Sequence, residues 1–523
     1  MRFALLALCG LGLLGTMTLA QAPVETLTVE ELLAKVGPAL GVKAFPADHP
    51  GIKAVGKIKR YGLECDLELI IDGQGRFRTT SGGILGETEA FDGTQARTLD
   101  WCGASHGIQL RDRDYGLLST WLTTGYWAAK PELFDLVVDA KKSNEHELVV
   151  GIKRKGGNLR LDITIDRKTW LPSKATGKMR DQTHEFVLGD YRDSPGLRIP
   201  CRWSHTSTGV TTRAEISKID SCSALAADTF SIPRQRTTKA TFDAQKKGKL
   251  EVKKVISGHL LVKPTIGGED VGWFILDSGA GHSCIDTKLA HKLQLEEFGE
   301  VPVMGVGGSL KSKFAKSPSL ELGPVTIKEP TYVELDLGMI GMTMGEQING
   351  IIGYPVFQAA IVEIDCDGPM VTLHDPATHK LAEGACWNPL VIDGNHPIVE
   401  CKYEGDRSGW FRLDTGATDT VSFHTVAVRN KKLLEGRKTS LTMQGGVGGM
   451  VRAQTGKLDW FELAGHRFEN PRVVFSQVDK GALADEYLDG NLGQIFFRPF
   501  RIVFNYGDEK IAFVRKQPKA GEP

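Results

Sequence analysis

Two short stretches of this chain repeat one another: Phe274-Ile-Leu-Asp277-Ser278-Gly279-Ala280 and Phe411-Arg-Leu-Asp414-Thr415-Gly416-Ala417. Each sets one aspartate after a hydrophobic run and follows it with a small hydroxyl residue, a glycine and an alanine. One such motif makes an Asx turn and nothing more. Here the surroundings repeat as well. Gly258-His-Leu-Leu-Val262 matches Asn395-His-Pro-Ile-Val399, and Gly305-Val306-Gly307-Gly308 matches Gly446-Val447-Gly448-Gly449. Gly350-Ile-Ile-Gly353 matches Gly490-Asn-Leu-Gly493, and Val362-Glu-Ile-Asp365 parallels Ile502-Val-Phe-Asn505. The landmarks keep one order, and the aspartate-to-glycine interval is nearly conserved (277 to 350, 414 to 490). An internal repeat of this kind means two copies of one fold.

Each landmark has a physical task. An aspartate that must project from the end of a buried strand needs a tight turn, for which Gly279 and Gly416 supply backbone freedom. The hydroxyls of Ser278 and Thr415 are placed to hydrogen-bond across a lobe interface. The glycine-rich stretches at 305–308 and 446–449 suit hairpin tips that close over an extended ligand. The apolar pair before Gly353 lets a second loop pack beneath the aspartate turn.

These segments resemble the retropepsin-type aspartic proteases, whose signature is an apolar pair, Asp-Thr/Ser-Gly-Ala, and later an apolar pair followed by glycine. The resemblance implies a mainly β, two-lobed barrel pseudo-dimer within one chain, with lobes at 255–382 and 383–523. It also implies that Asp277 and Asp414 are the catalytic pair, acting on a polypeptide through one water without cofactor or metal. Ser278, Gly279, Ala280, Thr415, Gly416 and Ala417 would support the two turns. Gly305, Val306, Gly307, Gly308, Gly446, Val447, Gly448 and Gly449 would form the flaps. Two adjacent carboxyls cannot both ionise easily and share a proton, for which aspartic proteases are the standard illustration. The copies also differ, with Asn491 at the place of an apolar residue and Asn505 at the place of Asp365. A fold of this kind that has lost activity and binds extended peptides is a second reading. A lipid-carrying envelope protein is a third.

The rest of the chain is read from composition and pattern. With 523 residues there is room for several domains, and acidic and basic side chains balance at 64 each, so no net field recruits nucleic acid. Residues 1–22 read as a signal peptide: Arg2, an apolar run, then Ala20-Gln-Ala22. The expectation is an exported protein, periplasmic or extracellular, with no transmembrane segment after cleavage. The remaining cysteines are even in number and suggest Cys201–Cys222 and Cys386–Cys401 as bridges. Neither these nor His282 with Cys284 has metal-ligand spacing supported by further partners.

Residues 23–235 open with a capping box at Thr28 and Glu31 and continue in strand pattern. Leu159, Leu161, Ile163 and Ile165 alternate with polar residues. This predicts a large antiparallel sheet with one buried face. The turn Ala90-Phe-Asp-Gly93 before Leu99-Asp-Trp101, the stretch Asp166-Arg-Lys-Thr-Trp170-Leu-Pro172, and Tyr191 to Pro200 resemble the LolA-like lipoprotein-carrier fold, a half-barrel. That resemblance implies an apolar or acyl ligand; a domain that only docks against the lobes is the alternative. Residues 236–254, rich in lysine, read as a solvated basic linker.

Ala280 and Ala417 stand where pepsin-like enzymes usually carry a hydroxyl that stabilises the ionised carboxylate. Alanine donates nothing, so the pair should ionise at higher pH. The expected outcome is a pH–rate profile for peptide cleavage that peaks at weakly acidic pH; a maximum well below about pH 3 would contradict the argument.

Overall fold

The computed structural model describes residues 27–42, 50–179, 182–306, 308–446 and 449–516. The expected signal peptide lies outside the described residues, as do Gly307, Val447 and Gly448. The architecture is mainly β, with an amino-terminal β domain preceding two lobes.

The amino-terminal domain is one thirteen-stranded antiparallel sheet. Its first six strands form a meander from Gly51–Arg60 to Ser105–Ile108, and its last seven form another from Phe134–Val138 to Val210–Cys222. The two meanders join where the first strand pairs with the last, Ile58 opposite Ala214. Between them the chain crosses as a helix, Leu110–Thr124, whose Leu117, Leu118, Trp121 and Leu122 are buried against the sheet. A shorter helix, Val29–Ala39, adds Leu32 and Val36 to the same core; its start is fixed by a full capping box between Thr28 and Glu31. The sheet's share includes Leu159, Leu161, Ile163 and Ile165, the inward set of a period-2 pattern. With the helices in place, the cavity between Ile71, Phe77, Trp121, Tyr126 and Leu197 measures about 60 Å³.

The two lobes repeat one arrangement. In the first, Phe274–Leu276 pairs in parallel with Gly350–Ile352, which pairs antiparallel with Cys284–Asp286. In the second, Arg407–Leu413 pairs in parallel with Gly490–Leu492, which pairs antiparallel with Val421–Phe423. A long hairpin extends from each lobe: Glu296–Gly305 with Gly308–Lys316, and Ser440–Gly446 with Gly449–Lys457. The lobes share a third sheet, in which the closing strand of one copy pairs with that of the other, Val362 opposite Phe504 and Ile364 opposite Ile502. Both lobes that build the centre thus come from one chain.

Two expectations are corrected. The basic segment is not a solvated linker: Ala240–Phe242 pairs with Val325–Lys328, and Val252–Lys254 pairs with Leu260–Val262. Two of its lysines have partners, Lys254 donating to the Cys366 carbonyl at 2.7 Å and Lys253 to Glu346, while Lys246, Lys247 and Lys249 are exposed. A lysine run can belong to an edge strand, where its charges stay outside while the backbone pairs. The proposed disulfides are absent as well, all described cysteines being free. Cys201 precedes Arg202, which faces Glu215, whereas Cys222 faces Gly51, roughly 20 Å further along the same strand. That separation exceeds the ~7 Å Cα limit of a disulfide, and of the second pair Cys386 is exposed whereas Cys401 lies in the lobe core.

The amino-terminal domain packs tightly on the lobes through polar contacts. Arg111, mostly covered at the start of the crossing helix, meets Asp112 at 3.2 Å, Asp485 at 3.4 Å and Asp393 at 3.7 Å. Tyr487 donates to Asp114 at 2.8 Å, and Arg97 meets Glu509 at 3.0 Å. Removing one member of a buried ion cluster leaves uncompensated charge worth about 3–5 kcal/mol. Arg111→Met should therefore lower the melting temperature markedly at neutral pH, checked by calorimetry on the full chain; an unchanged transition would show that the cluster contributes nothing.

Candidate active site

The two aspartates sit at equivalent points. The backbone N–H of Asp277 donates to the Ile352 carbonyl at 2.9 Å, and that of Asp414 to Leu492 at 2.9 Å. The chain following each glycine pair returns the contact, Tyr354 N–H to the Ala280 carbonyl at 3.0 Å and Gln494 N–H to Ala417 at 2.8 Å. Each aspartate turn is thereby clamped to the adjacent parallel strand of its own lobe.

Across the lobe interface the hydroxyl residues exchange bonds. Ser278 N–H donates to Thr415 Oγ1 at 2.9 Å, and Thr415 N–H donates to Ser278 Oγ at 3.1 Å. The same hydroxyls donate onward to the opposite strands, Ser278 Oγ–H to the Leu413 carbonyl at 2.8 Å and Thr415 Oγ1–H to the Leu276 carbonyl at 3.0 Å. Both residues are buried, and both hydroxyls are used as donor and acceptor. A shift of one lobe against the other breaks all four bonds together.

The glycines act differently from the sequence expectation. Neither Gly279 nor Gly416 has a left-handed backbone. What each supplies is space. A Cβ on Gly279 would lie 2.6 Å from the carboxyl carbon of Asp414, and one on Gly416 would lie 2.4 Å from that of Asp277. Each glycine leaves room for the opposite lobe's carboxyl, so the two carboxyls face one another across the pseudo-twofold. Asp277 Oδ1 accepts from Gly279 N–H at 2.7 Å and from Gly416 N–H at 3.1 Å.

This geometry sets the electrostatics. Burial, and then the neighbouring Asp414, push the Asp277 carboxyl up to about 8. Burial also raises Asp414, opposed by Arg412 and the backbone amides of Gly416 and Ala417.

The hairpin tips come together. A Cβ on Gly446 would lie 2.7 Å from Val306 Cγ2, and one on Gly481 would lie 2.8 Å from the Gly305 carbonyl oxygen. Gly305, Val306, Gly308, Gly446 and Gly449 therefore belong to two tips, of which that of the first lobe reaches the second lobe's tip. Among the described residues, the metal-type ligands that converge are His291, Glu297 and Glu334, within 4.8 Å of one another at the base of the first hairpin, where Lys313 already pairs with Glu297 at 2.9 Å.

Two contributors escape a motif search. Trp101, from the amino-terminal domain, stacks on His282 five residues after Asp277, ring centroids 4.2 Å apart. Its neighbour Asp100 accepts from the Tyr354 hydroxyl at 2.6 Å. No local pattern announces a contact between such distant segments. Arg412 could have been found: it occupies the place of Ile275 on a strand buried in both copies. His282 and Cys284 serve packing, the thiol being buried and facing the His282 carbonyl at 3.8 Å.

Comparison with known proteins agrees with this geometry. Residues 262–356 and 399–496 each match the family model described as aspartyl protease. No curated protein matches the chain. The two matched stretches are similar to aspartyl protease domains in tandem and support an aspartic peptidase chemistry.

Because each glycine vacates the opposite carboxyl's place, Gly279→Ala or Gly416→Ala should force the pair apart. A 1 Å misplacement at a reacting centre costs about 10²-fold in rate. Each variant should thus lose at least about 10²-fold in peptide hydrolysis while staying folded by circular dichroism, and near-normal turnover would show that the carboxyls do not need that space.

Proposed function

We propose that this chain is an exported aspartic endopeptidase that hydrolyses peptide bonds with one water activated between Asp277 and Asp414. The observation that carries the reading is the reciprocal fit of each carboxyl over the other lobe's glycine. It brings two titratable groups of opposite role to one point. The ionised carboxylate takes a proton from water as the water attacks the scissile carbonyl. The protonated carboxyl donates to the carbonyl oxygen as charge develops there. When the tetrahedral intermediate collapses, the base gives its proton to the leaving amine while the carboxylate that acted as acid takes one back from a diol hydroxyl, and the starting state is restored.

The two hairpins supply strand edges to hold a substrate in extended form by backbone pairing. Their exposed Leu310, Leu441, Met443 and Met450 give apolar surface suited to peptides with apolar side chains. In this reading the amino-terminal domain is a permanent brace. Trp101 and Asp100 pack directly behind the first aspartate turn, so the working unit is the full mature chain.

The test is cleavage of a diverse peptide library by the full mature chain across about pH 3–8, with Asp277→Asn and Asp414→Asn alongside. The expected result is cleavage by the unmodified chain and loss of at least about 10³-fold in either variant, since each removes one half of a shared acid–base pair. A folded chain that cleaves nothing, yet retains peptides, would instead identify a peptide-binding relative without activity.

A further inference from the structure

The two lobes place different chemistry beside their aspartates. In the first lobe the strand carrying Asp277 has Ile275 opposite Ile351. In the second the same register holds Arg412 opposite Asn491. The next strand carries the difference further, Cys284 facing Ile351 but Ser422 facing Asn491. Asn491 Nδ2 donates to Asp414 Oδ2 at 3.3 Å. Its Oδ1 lies 3.1 Å from His424 Nε2, which as the N–H tautomer donates to it and so turns the amide's NH2 toward the aspartate. Gln444 completes the layer, 2.9 Å from Asp419 and within hydrogen-bond reach of Ser422. Asn491, His424, Ser422 and Gln444 are all buried.

We propose that Asn491 is a positioning residue that fixes Asp414 as the ionised general base and leaves Asp277 to be the protonated general acid. This rests on the aspartic-peptidase reading of the pair. The hydroxyl missing at Ala417 is replaced, on this lobe alone, by an amide from the strand paired in parallel with that of Asp414. A donor on Oδ2 stabilises the charged form and obstructs a proton there. On Asp277 both backbone amides fall on Oδ1, which leaves Oδ2 to carry the proton and donate it.

The charged and titratable groups around Asp414 are consistent with this division. Asp277 and Asp419 oppose its ionisation, while Arg412, on its own strand, favours it. Arg412 is the foremost of the lowering influences on Asp414 and the last of those on Asp277. Tyr506, neutral and buried, donates to the Ser278 carbonyl at 3.4 Å, and His259 meets the Gly416 carbonyl at 2.8 Å. His424 acts on Asp414 through Asn491.

Two measurements test the assignment. In the first, the full mature chain is treated with an aryl glycidyl ether, which alkylates ionised carboxylates, or with a copper-activated diazoacetyl ester, which esterifies protonated ones. Peptide mapping should place the ether on Asp414 and the ester on Asp277; the reverse pattern overturns the proposal. This readout needs no turnover, so a chain that cleaves no peptide would defeat the protease reading while the assignment is still decided. In the second, the isosteric Asn491→Leu should raise the acidic limb of the kcat/KM profile by about one pH unit, because the base loses a bond to its charged form. Ile351→Asn should move the alkaline limb downward, because Asp277 gains such a bond. Limbs unmoved in both folded variants overturn the proposal, and if either variant fails to fold, the other and the mapping decide it.

Discussion

The reciprocal hydroxyl exchange between Ser278 and Thr415 is the constraint on which the site depends. Four hydrogen bonds link each aspartate turn to the other lobe and to the strand behind it. In a buried setting such bonds are costly to break singly, since every abandoned partner is left without water. The lobes are therefore held in one relation, and the carboxyls face each other because the turns have no alternative place. The closing strands, Val362 opposite Phe504, fix the same relation at the base of the molecule.

Around this centre the chain adds braces from outside the repeat. The basic segment contributes an edge strand to each of two first-lobe sheets. The amino-terminal sheet sends Asp100 and Trp101 against the first aspartate turn and anchors itself on the second lobe through Arg111. Such a three-part assembly makes the approximate symmetry of the lobes a local matter. Only the first lobe has Trp101 behind its turn, and only the second has Arg412 and Asn491 within its barrel. Symmetric geometry at the carboxyls coexists with asymmetric surroundings, which is what separate acid and base roles require.

The repeat was legible because each landmark serves a local need that only certain residues meet. Small hydroxyls at 278 and 415 and glycines at 279 and 416 mark the turns by themselves. The reason for the glycines was not legible: backbone freedom is the usual explanation, yet their φ angles are ordinary and the need is for the space a Cβ would fill. Cysteine parity misled because parity carries no geometry, and strand register puts Cys201 and Cys222 far apart. Lysine density misled at 236–254 because charge on an edge strand and charge on a free linker look alike in one dimension.

By itself, the sequence determined the two-copy organisation, the identity of the paired aspartates, the hydroxyls beside them and the period-2 pattern of the amino-terminal sheet. These are properties of local pattern and spacing. Tertiary structure alone decided that each glycine receives the opposite carboxyl, that Trp101 reaches His282, and that Asn491 stands beside the second aspartate. Those relations join residues tens to hundreds of positions apart. They exist only once strand register and the lobe interface have fixed which side chains share one buried volume.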